Sequence, residues 1–291
     1  MVDYDSWKLP IGLYEKALPD NLSWENRLLM TRDAGYNFLE ISIDKTDERL
    51  SRLNWSKTEI NKLKENIEKI NVPITTMCLS ANRHFPIGSS FENIQKKGVE
   101  IILNAIKFSF YLGIKIIQIA CYDVLDGEKS TDLSRQVFIS NLEKCVEFAG
   151  SKGIMLAIEN VDTKFGDSIE KTMDLADTIG SPWLQIYPDI GNLVAMRQDV
   201  DHQLQAGKNH IVAIHVKDTV DGVVRRIPFG EGIVDFISAF NTLKRVKFYG
   251  PMLIEMWAGD KKDNFDTIKD SREWVIDRLK QSNYSINNFV V

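Results

Sequence analysis

The chain has 291 residues, 44% of them hydrophobic and 26% charged, the balance of a soluble globular protein. No window approaches the roughly 18 consecutive apolar residues of a membrane span, and the acidic, aromatic start MVDYDSWKLP has none of the layout of a signal peptide, so a cytoplasmic protein is expected. A net charge of −5 argues against a nucleic-acid or acidic-membrane partner.

In chain order, short β-rich runs alternate with amphipathic segments. LPIGLY (Leu9–Tyr14) precedes a helix over Ser23–Ala34, with Ser23 as N-cap and Gly35 as the C-terminal stop. FLEISI (Phe38–Ile43) leads to a helix near Thr58–Ile70, and ITTMCLS (Ile74–Ser80) to one near Ile94–Leu112, stopped by Gly113. KIIQIA (Lys115–Ala120) is followed by a helix near Leu133–Ser151. IMLAIEN begins after Gly153, and a helix over Ser168–Ile179 leads to LQIYPDI. A short helix near Asp201–Gly207 precedes IVAIHVKD. After a longer loop, a helix near Asp235–Arg245 leads to PMLIEMW, and one near Asn264–Leu279 closes the series.

The eight strand-then-helix units predict an α/β fold, a single (β/α)8 barrel spanning residues 1–291, with a mobile or packing tail at 281–291. An open doubly wound sheet would want a glycine-rich phosphate loop, and neither GxGxxG nor GxxxxGK[ST] occurs. Cys78, Cys121 and Cys145 are scattered without CxxC spacing and read as reduced core thiols.

The last four of the barrel's runs each deliver a metal-binding side chain at or near their C-terminal end: Glu159, Asp189, His215 and Glu255. One acidic residue at a strand end is ordinarily a solvated charge or a helix cap. Three carboxylates and an imidazole at adjacent strand ends share one mouth, and three carboxylates buried together without a cation would repel strongly. The donor set suits one divalent ion, with Mn²⁺, Zn²⁺, Mg²⁺ and Co²⁺ all open. GxSxG and HExxH are absent. Trp183 and Trp257 flank ligand-bearing strands, where a bulky side chain packs the core or walls a pocket.

The stretches IGLYEKALP, FLEISIDKTDERLSRLNW, MCLSANRHFPIGS, IMLAIENVDT, SPWLQIYPDIGNL, AIHVKDT, IPFGEGIVDF and LIEMW resemble the L-ribulose-5-phosphate 3-epimerase family of the xylose-isomerase-like barrels. They run nearly the whole chain in the family's order. One segment departs: family members often read SAHRRFP where this chain has SANRHFP. The resemblance implies an isomerase acting on a small phosphorylated ketopentose, L-xylulose 5-phosphate giving L-ribulose 5-phosphate, in a pathway such as L-ascorbate degradation. It also implies a homodimer. It makes Glu159, Asp189, His215 and Glu255 the metal ligands and gives both glutamates acid/base roles.

Inversion at C3 of a 2-ketose needs one base on each face, and Glu159 and Glu255 come from non-adjacent strands. His215 should then donate its second N–H to an outer acceptor. Candidate phosphate donors are Arg83, His84, Lys217, Arg225 and Arg226, with backbone N–H groups of the Gly230-Glu231-Gly232 turn. Arg225 also sits where related ketose epimerases place an arginine near the metal-bound end of the sugar. Asn192 and Ser80 are candidate hydroxyl contacts. The competing readings are a free-ketose 3-epimerase of the tagatose or psicose type, a sugar-phosphate aldose–ketose isomerase, and a metal- or sugar-binding protein without turnover. An abasic-site endonuclease on this barrel would want a histidine-rich multi-zinc cluster, and the chain has four histidines in total.

Overall fold

The computed structural model describes residues 8–258 and 264–286. Eight parallel strands form the barrel wall: β1 (Ile11–Tyr14), β2 (Phe38–Ser42), β3 (Ile74–Leu79), β4 (Ile116–Ala120), β5 (Met155–Glu159), β6 (Leu184–Ile186), β7 (Ile214–Val216) and, after a two-stranded insertion, β10 (Met252–Ile254). The sheet runs β6-β5-β4-β3-β2-β1-β10-β7, and parallel bridges Ile186↔Ile211 and Asp189↔His215 join its two ends. No edge is left open, which removes the template for unwanted strand pairing.

Helices α1 (Trp24–Asp33), α3 (Lys57–Ile70), α4 (Glu92–Leu112), α5 (Asp132–Ser151), α6 (Ile169–Ile179), α8 (Val200–Ala206), α9 (Phe236–Arg245) and α10 (Phe265–Gln281) follow the strands, with two short pieces, α2 (Asp47–Ser51) and α7 (Ile190–Ala195). Their ends match local chemistry. Ser23 caps α1, Ser56 and Glu59 form a reciprocal capping box on α3, and Gly113 stops α4 in the left-handed region at φ 97°.

Each strand sorts its side chains by parity. Ile11, Leu13, Leu39, Ile41, Met77, Leu79, Ile117, Ile119, Leu156, Ile158, Ile214, Val216, Met252 and Ile254 all belong to the main core that the helices cover. The other parity faces the barrel axis. At its lower end sits Phe38, whose ring fills the space over Gly12: a Cβ there would stand 2.2 Å from the ring. Towards the C-terminal end this interior turns polar, with Glu40, Gln118, Glu159, His215 and Glu255 all buried. The strands thus alternate between an apolar outer parity and an inner parity that turns polar towards the C-terminal end.

Two further features differ from expectation. The stretch expected as a long loop contains a hairpin, β8 (Asp218–Val220) and β9 (Val223–Ile227), turning at Asp221-Gly222 with Gly222 at φ 71°. An Asp-Gly pair between valines is the usual two-residue hairpin signature. The tail packs as far as it is described: Leu9 N–H donates to Ser285 O at 2.9 Å and Tyr284 Oη to Phe248 O at 3.0 Å. Residues 287–291 of the expected tail lie outside the described residues.

Candidate metal centre

Glu159 ends β5, His215 sits in the middle of β7, and Glu255 follows β10 directly. Asp189 lies past the end of β6, where it caps α7 by accepting the Asn192 N–H at 2.8 Å. Asn160 fixes it there: its Oδ1 accepts from the Asp189 N–H at 2.8 Å and its Nδ2 donates to Asp189 O at 3.0 Å. Each of the four residues presents one donor atom, all within 4.8 Å of one another, and all four are buried.

The residues around them bias charge and orientation. His215 Nδ1 faces the ligand set, 2.6 Å from Glu159 Oε1, while Nε2 lies 2.9 Å from Glu40 Oε1. Glu40 is fully buried on β2 and also accepts from Tyr187 Oη at 2.9 Å. It is the outer acceptor that a metal-binding histidine calls for. Flanked by two carboxylates, the imidazole binds its protons tightly; burial opposes this, but Glu40 and Glu159 outweigh it. The Gln118 amide donates to the second oxygen of Glu159.

Lys217 is buried with its Nζ 2.9 Å from Glu255 Oε2 and 2.6 Å from Asp189 Oδ2. The second contact is a charge contact without hydrogen-bond alignment, so Asp189 Oδ2 has no hydrogen-bond partner. Burial pushes the Asp189 carboxyl up against the pull of Lys217, with Glu255 and Glu159 adding to the rise. Glu255 moves the other way, because Lys217 and His215 outweigh its burial.

Three carboxylates converge on a space served by one lysine, and a buried oxygen aimed into it lacks a hydrogen bond. A divalent ion would meet both deficits, and an oxygen-rich set with one imidazole suits the hard and borderline metals. The residues present fit the group.

The ligands open into a cavity of about 360 Å³ at the C-terminal end of the barrel, lined among others by Ser80, Arg83, His84, Asn192, Lys217 and Arg225, six of the seven candidate substrate side chains. Ser80 Oγ and Asn192 Oδ1 are buried and lack a hydrogen-bond partner, so both can meet a hydroxyl. Arg83 and Arg225 approach Asp162 Oδ2 at 3.6 and 3.9 Å, which leaves their N–H donors largely unspent. Lys217 is committed to its two carboxylates. Trp257 lines the cavity and packs edge-on against Tyr14 at 6.0 Å.

Two expectations need correction. Arg226 lines a neighbouring side pocket instead of the main cavity. The N–H groups of Gly230 and Gly232 are already taken by Asp218 Oδ2 at 2.9 and 3.0 Å, so that turn has none to offer a phosphate. Of the two tryptophans expected to pack the core or wall a pocket, Trp183 packs against Gly150 ahead of β6, at the opposite end of the barrel, and Trp257 lines the cavity. Sequence reading missed Glu40, Gln118, Asn160 and Tyr187. Glu40 and Gln118 were legible in principle, as polar residues on the interior parity of apolar strands.

A family model described as xylose isomerase-like TIM barrel matches residues 29–278. Among curated proteins, L-ribulose-5-phosphate 3-epimerase UlaE of Escherichia coli (strain K12) is 44% identical over 277 residues, covering 95% of this chain and 97% of that one. The same enzyme from Escherichia coli (strain SE11) matches equally, at 44% over 277 residues. Solved structures share the fold at lower identity. A D-tagatose 3-epimerase-like protein has a TM-score of 0.80 at 21% identity, covering 94% of this chain and 98% of that one. An L-ribulose 3-epimerase has a TM-score of 0.77 at 18% identity, covering 94% and 95%.

Proposed function

The chain belongs to the L-ribulose-5-phosphate 3-epimerase family of xylose isomerase-like TIM barrels, and on that premise we propose how its own residues carry out the reaction. It is an isomerase that interconverts L-xylulose 5-phosphate and L-ribulose 5-phosphate by inversion at C3. The observation that carries the proposed roles is the pairing of two glutamates, Glu159 and Glu255, across one buried ligand set that opens on a polar cavity.

Glu159, Asp189, His215 and Glu255 would hold one divalent ion, of Mn²⁺, Zn²⁺, Mg²⁺ or Co²⁺ type. Such an ion supplies Lewis-acid stabilisation to the negative charge that develops on the C2 carbonyl oxygen when C3 loses its proton. On this reading Glu159 and Glu255, which come from non-adjacent strands, would face opposite sides of a bound sugar. One takes the C3 proton, and the other returns a proton to the opposite face of the planar enediolate; in the reverse reaction their jobs exchange. Lys217 keeps Glu255 ionised, and Gln118 and His215 orient Glu159. Asp189 and His215 remain ligands, the imidazole steered by Glu40. Asn192, Ser80 and Arg225 meet the sugar oxygens, and Trp257 and Tyr14 wall the cavity and exclude water.

The test is NMR in D₂O with L-xylulose 5-phosphate and added Mn²⁺ or Zn²⁺. Deuterium should enter at C3 as L-ribulose 5-phosphate forms. Product with unexchanged C3–H would count against proton transfer through solvent-exchanging glutamates, and deuterium at C1 would favour an aldose–ketose isomerase.

A further inference from the structure

Arg225 reaches the cavity from β9, and the backbone there is not that of an ordinary strand. The hairpin pairs Asp218 with Ile227 and Val220 with Val223, so Thr219 alone faces Val224, Arg225 and Arg226. Within this bulge Arg226 has φ 66°, a left-handed backbone that residues other than glycine rarely adopt. A bulge of this kind re-aims side chains. Arg225 lines the main cavity with Glu159 and Glu255, and Arg226 lines the neighbouring pocket. Such a backbone persists only where its surroundings fix it.

The base and back of the hairpin are tied down by other contacts. Asp218 accepts from the N–H groups of Gly230, Gly232 and Val234 at 2.9, 3.0 and 3.4 Å, the Thr219 hydroxyl donates to Gly191 O at 3.1 Å, and the Gly222 N–H donates to Ala195 O at 3.2 Å. None of these holds the Arg225 guanidinium. Its one ion pair among the described residues is with Asp162 Oδ2, at 3.9 Å, in the loop after β5. Asp162 is itself fixed, because its other oxygen accepts from the hydroxyl of the buried Tyr122. Burial pushes the Asp162 carboxyl up, but the Tyr122 hydroxyl, Arg83 and Arg225 outweigh it and keep the group ionised. Asp162 lines a separate pocket, with Tyr122 shared between that pocket and the main cavity. It therefore acts on the sugar through Arg225.

We propose that Asp162 is a positioning residue for the epimerisation, its carboxylate holding the Arg225 guanidinium beside the ligand set while leaving the N–H donors of that group for the sugar oxygens. The role rests on the epimerase reading and on the sugar contact given to Arg225 above. A separation of 3.9 Å attracts the opposite charge without consuming a hydrogen bond. Arg225 can then meet the sugar without first breaking a bond. The freedom of a long side chain on an irregular strand is also lost before binding instead of during it, which favours binding.

Asp162→Asn keeps the shape and an acceptor for the Tyr122 hydroxyl and removes the charge. Assayed on L-xylulose 5-phosphate, it should raise KM about 3- to 10-fold, within the range of coupling between neighbouring groups, while kcat and the half-saturating metal concentration change little. A merely structural role would read differently. Asp162 follows the ligand Glu159 by three residues, so a disturbed loop would lower kcat and weaken metal binding. In an Arg225→Ala background, Asp162→Asn should add little to KM. Guanidinium ion at a non-denaturing concentration should partly restore Arg225→Ala and fail to restore the double variant, which lacks the carboxylate that would hold it. Full additivity of the two substitutions, or equal rescue with and without Asp162, would overturn the role and leave the epimerase reading intact. Absence of turnover by the unaltered protein would overturn that reading and the role with it.

Discussion

Glu159 and Glu255 have the same side chain and different surroundings, and that difference makes their roles separable. Glu255 is held as a carboxylate by an ammonium at 2.9 Å, whereas Glu159 rests against a neutral amide and an imidazole. Replacing either by Gln keeps shape and removes the base. Each variant should lose about 10²- to 10⁴-fold in kcat for epimerisation, the usual range for a general acid or base. Each should also continue to exchange the C3 proton of one epimer with solvent, the epimer whose face still carries a base. Arg225→Ala, outside the proton path, should chiefly raise KM. If both glutamate variants exchanged both epimers at wild-type rates, the two-base scheme would be wrong.

At the scale of elements, the sequence showed strand and helix order well, because a covered parallel strand reads as a β-branched run and helix ends carry their caps. Its gaps have physical causes. Asp189 looked like a strand residue, but Pro188 and the capping bond to Asn192 end β6 at Ile186 and start α7. Glu40 passed unnoticed because a buried acid inside an apolar strand declares its partner, His215, only when the barrel closes 175 residues later in the chain. Loop clasps are likewise tertiary. Glu128, in the loop after β4, accepts from Ser89 Oγ at 2.7 Å, Ser90 N–H at 2.9 Å, Ser90 Oγ at 2.6 Å and Leu125 N–H at 2.9 Å, tying that loop to the start of α4. Burial raises its carboxyl, but the donated bonds win and hold it at about 2, below the ordinary 4.5. A depressed folded value means stability present above the unfolded value and lost as pH falls through the folded one. Relative to Glu128→Gln, the protein should melt about a few degrees higher near pH 7, with the gap closing between pH 4.5 and 2. Thermal melts across that range check it, and a gap independent of pH would mean the carboxylate charge contributes nothing.

For the whole molecule, the metal centre is also the place where distant parts of the barrel are joined. Its ligands come from β5, the end of β6, β7 and β10, and Glu40 adds β2 through His215. Three of those carboxylates repel one another in the barrel interior, so an ion that binds only the assembled site should stabilise the entire fold. At a free metal concentration about 100 times Kd the gain is about 2.7 kcal/mol, roughly 5–10 °C in Tm at the 2–4 °C per kcal/mol of larger domains. Chelation should reverse it. Glu40→Leu leaves all four ligands in place but frees the imidazole to turn, so it should shift the half-saturating metal concentration about 10- to 100-fold upward, as loss of an outer partner does elsewhere. A melting curve recorded against metal concentration separates these outcomes without recourse to turnover. An unchanged midpoint in Glu40→Leu would show that β2 contributes wall and not ligand orientation, and the metal response would then belong to the β5–β10 half of the barrel alone.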